Sequence, residues 1–327
     1  MKVAYIGGLW SRNIGNAFYN LGTEAFLKKV GIEEVYFVPD PPQWDCMEIN
    51  SNYDLIGSLD VDLVLLTGPC LNLKLREIYE KTFIKLDNHN IPFAFLSAGM
   101  SLYDKGEAKE VAELLRKYSP EFIFTRDDFS ANLLREENIP NIFSGICMSM
   151  YLNETIKLPK LTEEKYLVLN FDETEPILIG NAEKGFLSQK RNWFNRNNLP
   201  TAIDGVQVIR TRNDSSSLPF QNIYSRPNTY HSDLPYGYLA LLQNAEYVLT
   251  ERVHTCAATL VLGGKCQYIP NSNRSLEKRI SLLEKVMEEP FLEKPSVISK
   301  SKLICEKEKI ENNFKHISKS ISGFSIH

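Results

Sequence analysis

The sequence predicts an α/β protein built from two doubly wound domains, each a largely parallel sheet covered by helices on both faces. Three observations point there. Short continuous apolar runs recur along the chain, as expected for strands buried on both faces. Stretches with the spacing of a surface helix separate them. The rhythm breaks once, over residues 148–164, and then resumes, which suits two domains in 327 residues.

Taken in order, residues 3–6 (Val-Ala-Tyr-Ile) read as a buried strand, followed by a Gly/Asn loop and a helix over about 16–30. Residues 35–38 form the next strand, stopped by Pro39, Pro41 and Pro42. Residues 63–66 give a third, closed by Thr67-Gly68-Pro69, then a helix over 72–88 and a strand at 93–96. A helix over 105–118, a strand at 122–124, a helix over 127–138 and a short run at 142–143 complete a first domain of residues 1–147. Residues 148–164, charged and carrying Pro159, serve as a linker.

The second domain spans residues 165–290. Its strands are read at 166–169, 206–209, 247–249 and 267–269, and its helices at 234–244 and 254–262, the latter ended by Gly263-Gly264. Residues 181–204 are polar and Asn-rich without clear period, so they read as an irregular insertion. In the tail, 291–327, Leu303, Ile310, Phe314, Ile317 and Ile321 share one face of an amphipathic helix. Acidic residues interrupt its lysines, which favours docking on the protein body over a membrane surface; peripheral contact is the most the tail offers.

Composition removes several classes of function. Hydrophobic residues make up 43% and charged residues 24%, the balance of a packed domain rather than a disordered chain. The formal charge of −4 supplies no basic field for nucleic acid. No apolar run is long enough for a transmembrane segment. The N-terminal run ends at Gly7-Gly8 without a cleavage site, so a cytoplasmic location is expected. Six scattered cysteines without a C-x-x-C pair read as reduced and mostly buried. No histidine pattern suggests a metal, and His254 and Cys256 would diverge on a helix.

Four segments could carry chemistry. Gly7-Gly8 through Asn13, Gly15 and Asn16 links the first strand to the first helix, where glycines allow close backbone approach and helix N–H groups receive anions. Asn13 and Asn16 could bind a ligand, and Asn16 could also cap the helix. Arg126-Asp127-Asp128 sits at another strand-to-helix junction, where carboxylates also suit the helix first turn. Thr250-Glu251-Arg252-Val253-His254 is the most suggestive, with a guanidinium and an imidazole two residues apart at a junction expected to face the interdomain cleft. Arginine grips phosphate or carboxylate through paired N–H groups, and histidine exchanges protons near neutrality. Arg210 and Arg212 close the strand before it, and Arg226 follows. Each also has a bland reading, as a salt bridge, a satisfied core histidine or a solvated cation.

Asn13-x-Gly15-Asn16, Arg126-Asp127-x-x-Ser130 and above all Thr250-Glu251-Arg252-Val253-His254 with its downstream Gly-Gly-Lys265 resemble the polysaccharide pyruvyl transferase family over roughly residues 5–272. The sequence departs from that family's usual Gly-Asp at Gly15-Asn16 and from its Asp-Pro near Ser144-Gly145. The resemblance implies two Rossmann-like domains around a cleft in a GT-B-like arrangement, with the first domain on the acceptor side and the second on the donor side. It implies transfer of the pyruvyl group of phosphoenolpyruvate to a sugar of a cell-surface polysaccharide or its precursor, as a ketal. The acceptor would be a saccharide or lipid-linked saccharide, and no cofactor or metal is expected. Arg252, Arg210 and Arg212 would hold the donor, His254 would protonate it, and Asn13, Gly15, Asn16 and Arg126 would serve the acceptor or the loop. Asp127 and Asp172 are the carboxylates available as base. Two other readings stay open: a GT-B glycosyltransferase using a nucleotide sugar, and a non-catalytic carbohydrate-binding relative.

Overall fold

A computed structural model describes residues 1–39, 56–172, 177–179, 188–190, 199–214, 226–270, 276–287 and 291–319. Most of the 181–204 segment, and Cys46 and Ile321, lie outside the described residues. The chain forms two compact units. The first comprises Met1–Leu9, Tyr19–Met148 and the segment from Leu303; the second comprises Trp10–Phe18 and Ser149–Lys302. Residues 10–18 thus belong with the second unit although they lie in the sequence range of the first, and the tail helix belongs with the first.

The first unit contains β1 (Lys2–Gly7), most of α1 (Ile14–Lys29), β2 (Glu34–Pro39), β3 (Leu63–Gly68), α2 (Leu75–Asn88), β4 (Phe93–Ala98), α3 (Lys105–Tyr118), β5 (Ile123–Thr125), α4 (Asp128–Glu136) and β6 (Ile142–Ser144). Its six-stranded sheet runs β2-β1-β3-β4-β5-β6 and every pairing is parallel. β3 and β4 are buried at every position, which explains why their sequences show no alternation.

Local chemistry sets the helix starts. Asp104 accepts the Glu107 N–H at 2.8 Å, while the Glu107 carboxylate accepts the N–H groups of Leu102 and Tyr103, each at 2.8 Å, a variant of the capping box. Burial raises the Glu107 pKa, with these backbone bonds pulling the other way. Asp127 caps α4 through the Ser130 N–H at 2.7 Å. The cap of α1 is Asn13 rather than Asn16: its Oδ1 accepts the Gly15 N–H at 3.0 Å, and the helix starts at Ile14.

Gly99 lies directly over the buried Arg126 guanidinium. A Cβ there would stand 2.1 Å from Nε and 2.6 Å from Cζ. Arg126 cannot retreat cheaply, since it is fastened to Met100 O and Tyr103 Oη. Gly99→Ala should therefore destabilise the protein by about 1–3 kcal/mol, the cost of an overpacked core. A thermal melt reads this as a midpoint lowered by several degrees.

The second unit contains α5 (Leu152–Thr155), β7 (Tyr166–Asn170), β8 (Ile177–Ile179), β9 (Ser188–Lys190), β10 (Ala202–Ile203), β11 (Val206–Thr211), α6 (Pro235–Asn244), β12 (Tyr247–Thr250), α7 (Val253–Val261), β13 (Cys266–Tyr268) and α8 (Ser281–Glu284). Its five-stranded sheet runs β10-β11-β7-β12-β13, parallel except for the edge strand β10. β8 and β9 form a separate antiparallel pair. Gly263, at φ +90°, follows the end of α7 in the left-handed region open to glycine.

The tail helix α9 (Lys300–Ser318) buries Leu303, Ile310 and Phe314. Phe314 meets the rings of Phe26 and Phe122 edge-on, at centroid distances of 5.1 and 5.7 Å, so the tail docks on the first unit. No helix among the described residues is long and apolar enough to cross a membrane. Among the described residues, Cys70, Cys147, Cys256 and Cys266 are buried and Cys305 is exposed, each outside any disulfide. Burial, with Cys256 alongside, raises the Cys266 thiol pKa well above its usual value.

Candidate active site

In the second sheet β7 comes first in sequence, with β11 paired on one side of it and β12 on the other. The strand order therefore reverses at β7, and the carboxyl ends beside it form the switch point where open α/β sheets bind ligands. Asn170, at the end of β7, stands in register with Thr211 of β11 and Thr250 of β12.

A buried polar web joins these strand ends. Asn170 Nδ2 donates to Thr211 Oγ1 at 2.9 Å and to Asn213 Oδ1 at 3.0 Å, while Asn170 Oδ1 accepts from Thr250 Oγ1 at 2.8 Å. Asn213 Nδ2 donates onward to Thr255 Oγ1 on α7 at 2.9 Å. With both ends of each side-chain amide engaged, the web fixes strand ends and helix start together.

Arg252 occupies the N-cap position of α7, where its N–H donates to Thr250 Oγ1 at 2.9 Å. Its guanidinium pairs with the Asp172 carboxylate, the two side chains being 13% and 3% exposed. Asp172 is itself fixed: Oδ1 accepts the N–H groups of Asn213 at 2.7 Å and Asp214 at 3.2 Å. Its own N–H donates to Glu251 Oε1 at 2.8 Å. Arg226 donates to the carbonyl of the adjacent Phe171 at 3.1 Å.

His254 sits half-buried in the first turn of α7. The loop bearing Asn13 and Gly15 comes to it: Ile14 N–H donates to Asn213 O at 2.9 Å, and Asn13 bridges to Asp214. A Cβ on Gly15 would lie 2.7 Å from Asn213 Nδ2 and 3.6 Å from His254 Cβ. The loop expected on the acceptor side thus packs within the unit that carries Arg252 and His254, and Asn16 lies in the first turn of α1 behind it. Gly15→Ala should push the loop from Asn213 and His254. Since small misplacements are costly, turnover should fall roughly ten- to hundredfold in a steady-state assay, and strain on the buried web should lower the melting midpoint as well.

The remaining arginines divide. Arg210 is 2% exposed, and its guanidinium donates to Pro200 O at 2.9 Å and Pro227 O at 3.1 Å. Its guanidinium is thus engaged by the loops beside β11. Arg212 is buried at the end of β11, and its carbonyl accepts from Tyr238 Oη at 3.0 Å. Tyr238 Oη also lies 3.1 Å from Nδ1 of His231, whose pKa burial lowers. Arg126 belongs to the first unit and is 2% exposed. Its guanidinium donates to Tyr103 Oη at 2.9 Å and lies 3.8 Å from Asp127 Oδ2, which anchors it within that unit. Burial works against its charge, but Tyr103 and Asp127 hold its pKa above the ordinary value.

Of the web residues, Asn170 and Asn213 escaped the sequence reading, while Thr250 stood in the motif it singled out and was given no role there. Their signal was positional, since Asn170 and Thr250 end strands and Asn213 follows one by two residues. Among the described residues, no group of three His, Cys, Asp or Glu side chains is placed to hold a metal. Chemically, a cation at a helix N-terminus beside a half-buried imidazole can hold an anion and pass it a proton.

Comparison with known proteins agrees with this fold and adds a family. The family model described as polysaccharide pyruvyl transferase matches residues 13–273. No curated protein matches the chain. Among solved structures, MnaA of S. aureus with UDP superposes with a TM-score of 0.53 at 11% identity, covering 97% of this chain and 90% of that one. The UDP-GlcNAc 2-epimerase of Methanocaldococcus jannaschii, in complex with UDP-GlcNAc and UDP, gives 0.50 at 14% identity, covering 97% and 100%. The UDP-N-acetylglucosamine 2-epimerase of Rickettsia bellii gives 0.50 at 14%, covering 96% of each chain. At such identities the likeness concerns the fold, an α/β architecture of GT-B-like type.

Proposed function

The chain belongs to the polysaccharide pyruvyl transferase family, an enzyme family acting on saccharides, and on that premise we propose that it moves the pyruvyl group of phosphoenolpyruvate onto a sugar as a cyclic ketal. The observation that carries this reading is the placement of Arg252, at the N-cap of α7, and His254, in the first turn of the same helix, at the switch point of the second sheet.

Phosphoenolpyruvate carries a phosphate and a carboxylate, and Arg252, the buried Arg212 nearby in sequence to the web, and the α7 N-terminus offer positive charge at one strand edge. His254 donates a proton to the methylene carbon of the enol, and C2 becomes electrophilic. A sugar hydroxyl adds to C2 and gives up its proton. The C2–O bond to phosphate then breaks, inorganic phosphate leaves, and a second hydroxyl of the same sugar closes the ring as it loses its proton. Donor and diol become ketal and phosphate, with no redox change. The acceptor is a free or lipid-linked saccharide met in the cytoplasm, with at most peripheral contact with a membrane.

The test is to incubate the enzyme with phosphoenolpyruvate and a panel of saccharides bearing neighbouring free hydroxyls, following phosphate release and the ketal methyl signal by NMR. Stoichiometric appearance of both supports the reading. Consumption of UDP-GlcNAc, with phosphoenolpyruvate untouched, would replace it with sugar-nucleotide chemistry.

A further inference from the structure

Asp172 is one of the two carboxylates that the sequence offered as a general base, and its surroundings argue for a different task. Its Oδ1 already receives two backbone N–H groups, from Asn213 and Asp214, and the guanidinium of Arg252 covers the carboxylate. A base must keep a lone pair turned toward the hydroxyl it deprotonates. Here Oδ1 is taken up by backbone N–H groups, Oδ2 faces the Arg252 guanidinium, and the side chain is 3% exposed.

The anchoring runs in one direction. Glu251 holds the Asp172 N–H at 2.8 Å, and Arg226 holds the preceding carbonyl at 3.1 Å, so the backbone under Asp172 is pinned from two sides. Asp172 in turn engages Arg252, the one member of this group on the N-cap of α7. A guanidinium has five N–H donors in a planar fork, a geometry that can hold a carboxylate and an oxyanion together.

We infer that Asp172 is a positioning residue: it orients the Arg252 guanidinium for the donor's anionic groups and does not itself exchange a proton with the substrate. The inference rests on the proposed function for the identity of the anion, but the Arg252–Asp172 coupling can be tested with whichever anion binds. Asp172 also offsets the charge of Arg252 in the empty site, so that the guanidinium need not stay buried alone before the donor arrives.

The test is a double-mutant cycle by calorimetry, with phosphoenolpyruvate and UDP-GlcNAc titrated separately, up to the millimolar range, into wild type, Asp172→Asn, Arg252→Ala and the double variant. Asn keeps an oxygen for the two backbone N–H groups but loses the ion pair. Asp172→Asn should weaken the anion by about tenfold and add less than about twofold in the Arg252→Ala background, the signature of residues that act through each other. A merely structural role would add equally in both backgrounds. Thermal melts accompany each variant, and Asp172→Glu, which keeps the charge, should restore part of the affinity and stands in if Asp172→Asn does not fold. An unchanged affinity with turnover lost would make Asp172 a base and overturn the inference, as would equal effects in both backgrounds. If wild type binds UDP-GlcNAc and not phosphoenolpyruvate, the functional reading falls and the cycle on UDP-GlcNAc decides the role of Asp172. If wild type binds neither, both fall.

Discussion

His254→Gln is expected to bind phosphoenolpyruvate within about threefold of wild type yet turn over roughly a hundred to ten-thousandfold more slowly, the span that a positioned acid contributes. The reason is chemical rather than structural. Protonating an enol carbon needs an acid that can give up a proton near neutrality, and an amide cannot. Gln is close to His in reach and polarity, and the backbone start of α7 is held independently by Arg252 N–H on Thr250 and Thr255 on Asn213. The helix and the donor site should therefore survive. Steady-state rates beside calorimetry on the same preparation check the split. A matched loss of binding and rate would mean that His254 holds the donor instead of protonating it.

Arg252→Ala should lose at least about a hundredfold in phosphoenolpyruvate affinity, in keeping with removal of a bidentate charge-assisted contact. It should also cost stability. The Asp172 carboxylate would be left buried with two backbone N–H groups and no counter-charge, and breaking a buried pair typically costs about 3–5 kcal/mol. Adding Asp172→Asn removes the stranded charge, so the double variant should melt above Arg252→Ala while binding no better. That opposition between stability and affinity distinguishes a lost anion contact from simple unfolding.

Much of the fold was legible because buried parallel strands announce themselves. β4, expected at 93–96, spans Phe93–Ala98, and α3, expected over 105–118, spans Lys105–Tyr118, since Asp104 and Glu107 mark its start without ambiguity. What the structure adds to the sequence has a shared physical origin. Asn13 and Asn16 are equally good caps by composition, and only the chain path, with Asn13 bridged to Asp214, selects the first. Residues 10–18 look like part of the first domain because strand and helix flank them, while their partners, Asn213 and His254, are some two hundred residues away. Arg210 and Arg126 stand at strand ends that suit ligand contact, and the structure shows carbonyls and Tyr103 engaging them. A sequence shows where a cation lies along a strand but not which nearby oxygen claims it. Asp172 illustrates the converse, since its significance arises from a partner at the start of α7.

The central claim is that the Arg252 and His254 edge receives phosphoenolpyruvate. Calorimetric titration of phosphoenolpyruvate into wild type and Arg252→Ala, with UDP-GlcNAc and related nucleotide sugars in parallel cells, tests it most directly. Wild type should give saturable heat with phosphoenolpyruvate, Arg252→Ala should lose it, and nucleotide sugars should give no comparable signal. Silence from phosphoenolpyruvate at millimolar concentration beside clear binding of a nucleotide sugar would contradict it.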